Sequence, residues 1–348
     1  MHLSKEAHMA IGIFLIVSGI IGIIANSAVI ASFIMMKSRL SPVSIVLLNL
    51  TLSDLGIILM GFPFNALSHL SGGWLFGWIG CQIYGYCCFL FGTAHIGGLS
   101  LLAYEQYRSI TRMRPDAAPS QSYLDRLQRN YIFYGLAIWV FALIWATPPL
   151  LGWSRYYYEP FGTACTIDWR DETFEFKFYI VAYFIGGYVL PFSLMLHSFR
   201  RIIAIKKAYK QNSVRLNQRG IIETLKRQRE EDLTLTCILT VVSFLLTWTP
   251  YAILCLWSVF LGPHGVPSIL ALGPNICAKA SGALNPIIYT LSNRRMRARI
   301  ANSLRKLSGR KRRNYGSNST SDEVPIPLRD QITCPRNVVT GPDTAVTA

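Results

Sequence analysis

Long stretches without a single Asp, Glu, Lys or Arg constrain this chain more than any other feature. Met9–Met36, Leu75–Tyr104, Asn130–Ser154 and Phe178–Phe199 carry none, and Ser41–Leu70 carries only Asp54. Leu233–Asn293 carries only Lys279 and is divided by Gly262-Pro263-His264-Gly265-Val266-Pro267. At about 1.5 Å per residue, each piece is long enough to cross about 30 Å of hydrocarbon. In lipid a helix satisfies its own backbone groups, so these pieces predict seven membrane helices. The expected fold is an all-α membrane protein, a seven-transmembrane helix bundle. Composition agrees, since 51% of residues are apolar and only 15% charged, against about a quarter charged in ordinary soluble domains. An ordinary soluble enzyme and a disordered chain are both excluded.

Seven spans place the termini on opposite sides of the bilayer, and Lys and Arg say which. Loops after spans one, three and five, with the tail after span seven, hold 29 of the 34 basic residues. The other side has Lys5, Arg155, Arg170 and Lys177. The positive-inside rule therefore predicts a multi-pass plasma-membrane protein with an extracellular N-terminus and a cytoplasmic C-terminus. The formal charge of +16 flanks apolar spans instead of covering a soluble surface. That pattern argues for contact with lipid headgroups and against nucleic acid. The expected domains are a short outer segment at residues 1–8, the bundle at 9–305, and a disordered tail at 306–348. The first apolar run lacks a basic leader and a small-residue cleavage pattern, so it reads as a retained helix. With so short an outer segment, a ligand must be bound within the bundle or its outer loops.

Of eight cysteines, Cys81 and Cys165 stand on the outer side, where an oxidising compartment allows a bond. Such a bond would pin the second outer loop across the mouth of the bundle. Cys87, Cys88, Cys237, Cys255 and Cys277 fall inside spans and read as small buried groups. No Cys/His spacing matches a metal site.

A set of residues spread over the spans then narrows the identity. Asn26, Leu50 with Asp54, Cys81, Glu105, Trp139, Pro191, Phe244-x-x-x-Trp248-Thr249-Pro250-Tyr251 and Asn285-Pro286-Ile287-Ile288-Tyr289 together resemble a rhodopsin-type G-protein-coupled receptor from about Met9 to Arg305. Asn293-Arg294-Arg295-Met296 resembles the start of that family's short amphipathic eighth helix. Lys279, seven positions before Pro286, resembles the lysine to which opsins attach retinal. The second-loop text from Tyr158 to Trp169 resembles the neuropsin, peropsin and retinal-photoisomerase cluster of opsins, and Trp74–Cys81 leans toward neuropsins.

Physical chemistry supports attention to Lys279 independently. An ammonium near the bilayer centre costs about 2.5–3.5 kcal/mol even on a lenient insertion scale. Mid-span position makes snorkelling poor, and pairing with Asp54 is the plain structural alternative. An amine held out of water keeps the free lone pair that condensation with an aldehyde requires. The resemblance implies a protonated Schiff base with 11-cis or all-trans retinal. Such a base needs an anion. The position in span three that supplies it in vertebrate visual pigments is Tyr84 here, and the resemblance offers a second candidate, Glu159, which matches the loop-two glutamate that opsins outside that branch use as counterion. A solvated loop glutamate is the plain alternative.

Phe244, Trp248 and Tyr251 recur on one helical face. The resemblance makes that face a chromophore wall, with Tyr84, Phe89 and Gly92 opposite. Asn26, Asp54, Asn285 and Tyr289 form a lower polar set, a hydrogen-bond network able to hold a sodium ion, or a set of separate interhelical bonds. At the foot of span three the family's Asp/Glu-Arg-Tyr is replaced by Glu105-Gln106-Tyr107. The missing arginine would pair with an acid on span six, matched by Glu230. Arg108 is a candidate partner for Glu105 at i, i+3. These residues form the expected contact region for a heterotrimeric G protein, and Phe199 replaces a usual span-five tyrosine. Ser317, Ser319, Thr320 and Ser321 are candidate targets of a receptor kinase that would recruit arrestin. The expected function is a non-visual, light-sensing receptor, not an enzyme. A retinal photoisomerase with little coupling is the alternative, and a receptor for a diffusible ligand with Lys279 incidental is a third.

Overall fold

The computed structural model describes residues 3–35, 40–112, 120–216, 221–292 and 294–307. The side chains of residues 209–230 and of Leu233, Ser268, Ile269, Tyr289, Arg295, Lys306 and Leu307 lie outside that description, as does the rest of the expected tail. Spans one to four are α1 (Lys5–Ile34), α2 (Pro42–Leu70), α3 (Gly77–Thr111) and α4 (Gln121–Ala146). The fifth is composite: α5 (Phe174–Tyr183), a π-helical turn over Phe184–Val189, and α6 (Leu190–Leu216). Spans six and seven are α7 (Ile221–Leu261) and α8 (Ser268–Ser292), and α9 (Arg294–Leu307) is the eighth helix.

Capping residues set where several of these helices start. Ser4, Ser41, Ser120 and Thr173 each accept a bond from the backbone N–H three residues on, which satisfies a donor that the helix cannot. Pro42 follows Ser41 at the first helical position, where its missing N–H costs nothing. Because of the Ser4 cap, α1 begins at Lys5, earlier than its charge-free run. Six of the helices are long and apolar enough to cross a membrane. The seventh, α8, has 25 residues but is diluted by Asn275, Lys279, Asn285 and two prolines. Its polar residues point to the interior and give the bundle its chemistry.

The helix α3 runs through the centre, against α2, α4, α6 and α7. The main core gathers Leu50, Leu99, Leu102, Met195 and Phe244 around it. By contrast α1 exposes Ile13, Ile20 and Ile24 along one face, as a lipid-facing helix should. Pro191 has no N–H for the turn before it, and the preceding helix widens into the π turn there. Gly187 fits in that turn because a Cβ would lie 2.5 Å from the Tyr183 ring. Helix α9 buries Met296 and packs Ile300 on the core, while Arg297 Nη1 donates to the last carbonyls of α8, Thr290 O (3.3 Å) and Leu291 O (3.1 Å).

One element departs from the all-helical expectation. The loop between α4 and α5 holds an antiparallel ribbon, β1 (Tyr156–Tyr158) and β2 (Cys165–Ile167), with Tyr158 opposite Cys165. A disulfide joins Cys81 at the head of α3 to Cys165. Gln82 Nε2 donates to Tyr156 O at 3.0 Å, and the Tyr156 hydroxyl donates to Ala146 O at 2.8 Å. Arg155 and Asp168 close the base of the ribbon at 2.8 Å. The ribbon is therefore a lid anchored to two spans.

Candidate functional site

A cavity whose void, counted out to its opening, is about 990 Å³ lies between α3, the π turn, α7 and α8, under the ribbon. Its walls are mostly aromatic and aliphatic, including Tyr84, Phe89, Tyr183, Trp248 and Tyr251, and Lys279 is its one cationic side chain. Lys279 is only 4% exposed. Its neighbours are small, since a Cβ on Gly61 would stand 3.5 Å from its Cε. The amine has polar partners only at its tip. Nζ donates to Asn275 Oδ1, one turn earlier on the same helix. With its amide oxygen toward the amine, Asn65 on α2 accepts a second bond at 3.2 Å and donates to Thr163 O at 3.2 Å. The Tyr84 ring centroid lies 5.5 Å from Nζ.

Glu159 reaches this amine through one side chain. Asn275 Nδ2 donates to Glu159 Oε1 at 2.6 Å, so a single amide links the carboxylate to Lys279. The loop explains why the carboxylate points inward. The disulfide holds Cys165 on α3, Tyr158 pairs with Cys165, and Glu159 is the first residue past the ribbon. The turn closes with Glu159 N donating to Ala164 O at 2.9 Å. Gly162, at φ 63°, supplies the left-handed residue that the turn requires. Glu159 is 5% exposed, so it is not the solvated loop glutamate of the plain alternative. Burial pushes its carboxyl above the usual range, and the Lys279 charge and the Asn275 bond pull it back. The lid is also tied to α7, because Thr166 Oγ1 and the Tyr251 hydroxyl are 2.6 Å apart.

Four of the six expected wall residues, Tyr84, Phe89, Trp248 and Tyr251, line the cavity, and two do not. Phe244 lies one turn before Trp248 and packs away from the cavity, with its ring centroid 5.2 Å from Tyr188 and 6.2 Å from Phe192. Gly92 lies behind the Trp248 ring, where a Cβ would be 2.7 Å from Cη2. Trp248 is thus the floor, and the other two support it from below.

Beneath that floor the polar set is rearranged. Asp54 accepts from His95 Nδ1 at 2.6 Å and from Asn285 Nδ2 at 3.1 Å to each oxygen. His95 had no place in the expected set, yet its ring faces Asp54 on one side and Trp248 at 5.9 Å on the other. The imidazole stands directly beside Asp54. Asn26 is not part of this cluster. Its amide donates to Gly22 O and Gly282 O, tying α1 to α8. The side chain of Tyr289 lies outside the described residues. Asp54 is engaged by His95 and Asn285, which also removes the alternative of a pair with Lys279.

At the opposite end Glu105 does not take Arg108. It pairs with Arg112 at the end of α3, and Arg112 Nη2 also lies 3.4 Å from the Tyr131 hydroxyl on α4. Arg108 is exposed, and the helix turn carries Arg112 back along the Glu105 face, two turns on. Gln106 is buried, and its Oε1 has no partner among the described residues. Tyr107 packs against His197 and under the Arg201 guanidinium. The Glu230 side chain lies outside the described residues. Two site residues escaped notice in the sequence although a signal was present: Asn275 stands at i−4 from Lys279, and His95 interrupts an otherwise uncharged span.

Residues 25–289 match the family of 7 transmembrane receptors (rhodopsin family). The human visual pigment-like receptor peropsin is 32% identical over 297 residues, 84% of this chain and 84% of its own. Mouse opsin-5 is 32% identical over 306 residues, 87% of this chain and 78% of its own. The crystal structure of squid rhodopsin superposes with a TM-score of 0.75 at 28% identity, covering 88% of each chain. By sequence and by fold alike, the chain belongs to the rhodopsin family of seven-transmembrane receptors, with opsins among its relatives.

Proposed function

We propose that this receptor is a non-visual opsin, a light-sensing G-protein-coupled receptor that carries retinal as a Schiff base on Lys279. The observation that carries this reading is the Lys279 amine, buried at the end of an apolar, aromatic cavity and linked to a buried carboxylate. The residues fit the group: the cavity is walled by aromatic and aliphatic side chains that suit a polyene, and the one reactive amine lies among them. Retinal supplies the absorption of light and a change of shape. The chain does the rest. Glu159 balances the positive charge at Lys279 through Asn275, which keeps both in register, and Asn65 holds the amine from α2. Trp248 closes the floor, so a change of shape above it presses on α7 near Pro250, where the helix lacks one backbone bond.

The inner ends of α3, α6 and α7 are the G-protein contact region in this reading, and the tail is the site for a receptor kinase and arrestin. Coupled relatives support the first part, among them the G0-coupled and GQ-coupled rhodopsins of Mizuhopecten yessoensis. In this reading the lid and N-terminus lie outside and α9 in the cytoplasm, which the distribution of Lys and Arg supports. The test is reconstitution of the full chain with 11-cis and all-trans retinal separately, in the dark. Borohydride should fix retinal on Lys279, and light should drive nucleotide exchange on a G protein. Absence of an adduct with either isomer, or colour that survives Lys279→Ala, would refute the reading.

A further inference from the structure

We infer that His8 and His69 form a binding site for a divalent transition-metal cation of the zinc and copper class, at the ribbon end of the bundle. His8 comes from the start of α1 and His69 from the last turn of α2, and their Nδ1 atoms face each other at 3.1 Å. Two nitrogens on a tetrahedral zinc ion, each at about 2.0–2.1 Å from it, stand about 3.3 Å apart. The pair is within a few tenths of an ångström of that spacing.

A hydroxyl on the far side of the His69 ring accommodates the tautomer that a metal ligand needs. The ring's Nε2 lies 3.2 Å from Thr163 Oγ1. With the proton on Nε2 donated to that hydroxyl, the Nδ1 lone pair is left facing His8. An oxygen that orients the far side of the ring is the usual support of a metal-binding histidine. The backbones are held in place as well. One turn along α1 from His8, Gly12 lets the helices close on each other, since a Cβ there would lie 2.9 Å from Leu70 Cδ2 and 3.4 Å from Ala66 O. His69 is buried and His8 half-buried, so an ion enters from the His8 side and keeps water at its remaining positions. The residues are 61 apart in sequence, so no short spacing motif announces them.

The site is wired to the cavity. Thr163 O accepts from the Asn65 amide, and Asn65 oxygen faces Lys279 Nζ. An ion that fixes His69 and Thr163 therefore also steadies Asn65 against the amine. This consequence, unlike the metal site itself, rests on the retinal reading.

The test uses the full chain, without a histidine tag, in detergent. His2→Gln, His197→Gln and His264→Gln are placed in the background to remove other accessible imidazoles. Copper(II) should bind at one equivalent and show two imidazole nitrogens in its electron paramagnetic resonance spectrum, and zinc should compete for the site. His8→Ala should remove one nitrogen and weaken binding at least tenfold. Thr163→Val, which leaves both ligands in place, should weaken binding by about 10–100-fold, the usual loss when a ligand's orienting partner is removed. No saturable binding at millimolar zinc, or binding that is unchanged by His8→Ala, would overturn the site. A hydrogen bond alone then accounts for the pair. If the site stands, zinc should slow hydroxylamine attack on bound retinal. Metal binding without that effect would overturn only the wiring to Lys279.

Discussion

Replacing Arg112 by alanine tests the arrangement at the inner end of α3 most directly. Glu105 is 2% exposed and Arg112 18% exposed in their pair, so removing the cation leaves a buried anion with the Tyr131 hydroxyl and the exposed Arg108 nearby. Stranding one partner of a buried ion pair costs about 3–5 kcal/mol. At about 2 °C per kcal/mol, the value for larger folds, the thermal midpoint should fall by roughly 6–10 °C. The Glu105→Gln, Arg112→Ala double variant buries a neutral amide instead of a lone carboxylate and should recover most of that loss. A thermodynamic cycle over the four proteins should then give a coupling of about 2–3 kcal/mol. The assay is thermal unfolding of the apoprotein in detergent, with dark nucleotide exchange measured on the same samples. An Arg112→Ala midpoint within about 0.5 kcal/mol of the parent, the range of ordinary surface changes, would refute the reasoning. So would additive single variants.

Gly92→Ala should push Trp248 off its seat, because the new Cβ would stand 2.7 Å from Cη2. Overpacking of this kind costs about 1–3 kcal/mol, read as a lower melting point together with a shifted absorption band after retinal is added. Glu159→Gln should move the absorption toward the ultraviolet near neutral pH, with the titration midpoint falling by about 1–3 pH units; an unchanged titration would remove the counterion assignment. Asn275→Leu should shift the spectrum in the same direction while borohydride still traps retinal on Lys279, and a parental spectrum would show that the amide link is dispensable. Gln106→Arg should raise light-dependent nucleotide exchange, and equal exchange in dark and light for both forms would argue against a signalling role.

The spans were legible because a membrane leaves so few choices. Uncharged runs of sufficient length can only be helices, and their number and the position of the basic loops follow from composition. The Cys81–Cys165 disulfide was legible because both cysteines stand where a family pattern expects them, and Lys279 and Glu159 drew notice because each is chemically out of place or matches that pattern. The ribbon was harder to see. Three-residue strands such as Tyr156–Tyr158 carry no periodicity, and their pairing depends on the disulfide. The i, i+4 and i+7 rule grouped Phe244 with Trp248 and Tyr251, but a cavity ends at a given depth that periodicity does not encode. His95 was missed for a different reason. It carries no fixed charge, so a survey of Asp, Glu, Lys and Arg passes over it, and its polar partners Asp54 and Asn285 lie on other helices.

The two ends of the bundle therefore differ in how they are held. At the ribbon end, the lid, α2, α7 and α8 are all bonded to one another through Glu159, Asn275, Asn65, Thr163 and Thr166, so little can shift there without disturbing Lys279. At the other end Glu105 is engaged by Arg112 and Tyr131, so its carboxylate is not free to pair with α7. Among the described residues, no ion pair joins those two helices. The resting position of α7 depends instead on core packing around Phe244, on Thr236 Oγ1 donating to Ser292 Oγ at 2.6 Å on α8, and on Asp232 facing Arg294 of α9 at 3.8 Å. A push on Trp248 meets a bonded frame above, and below it no ion pair to α3 among the described residues, so displacement should appear at the inner end of α7.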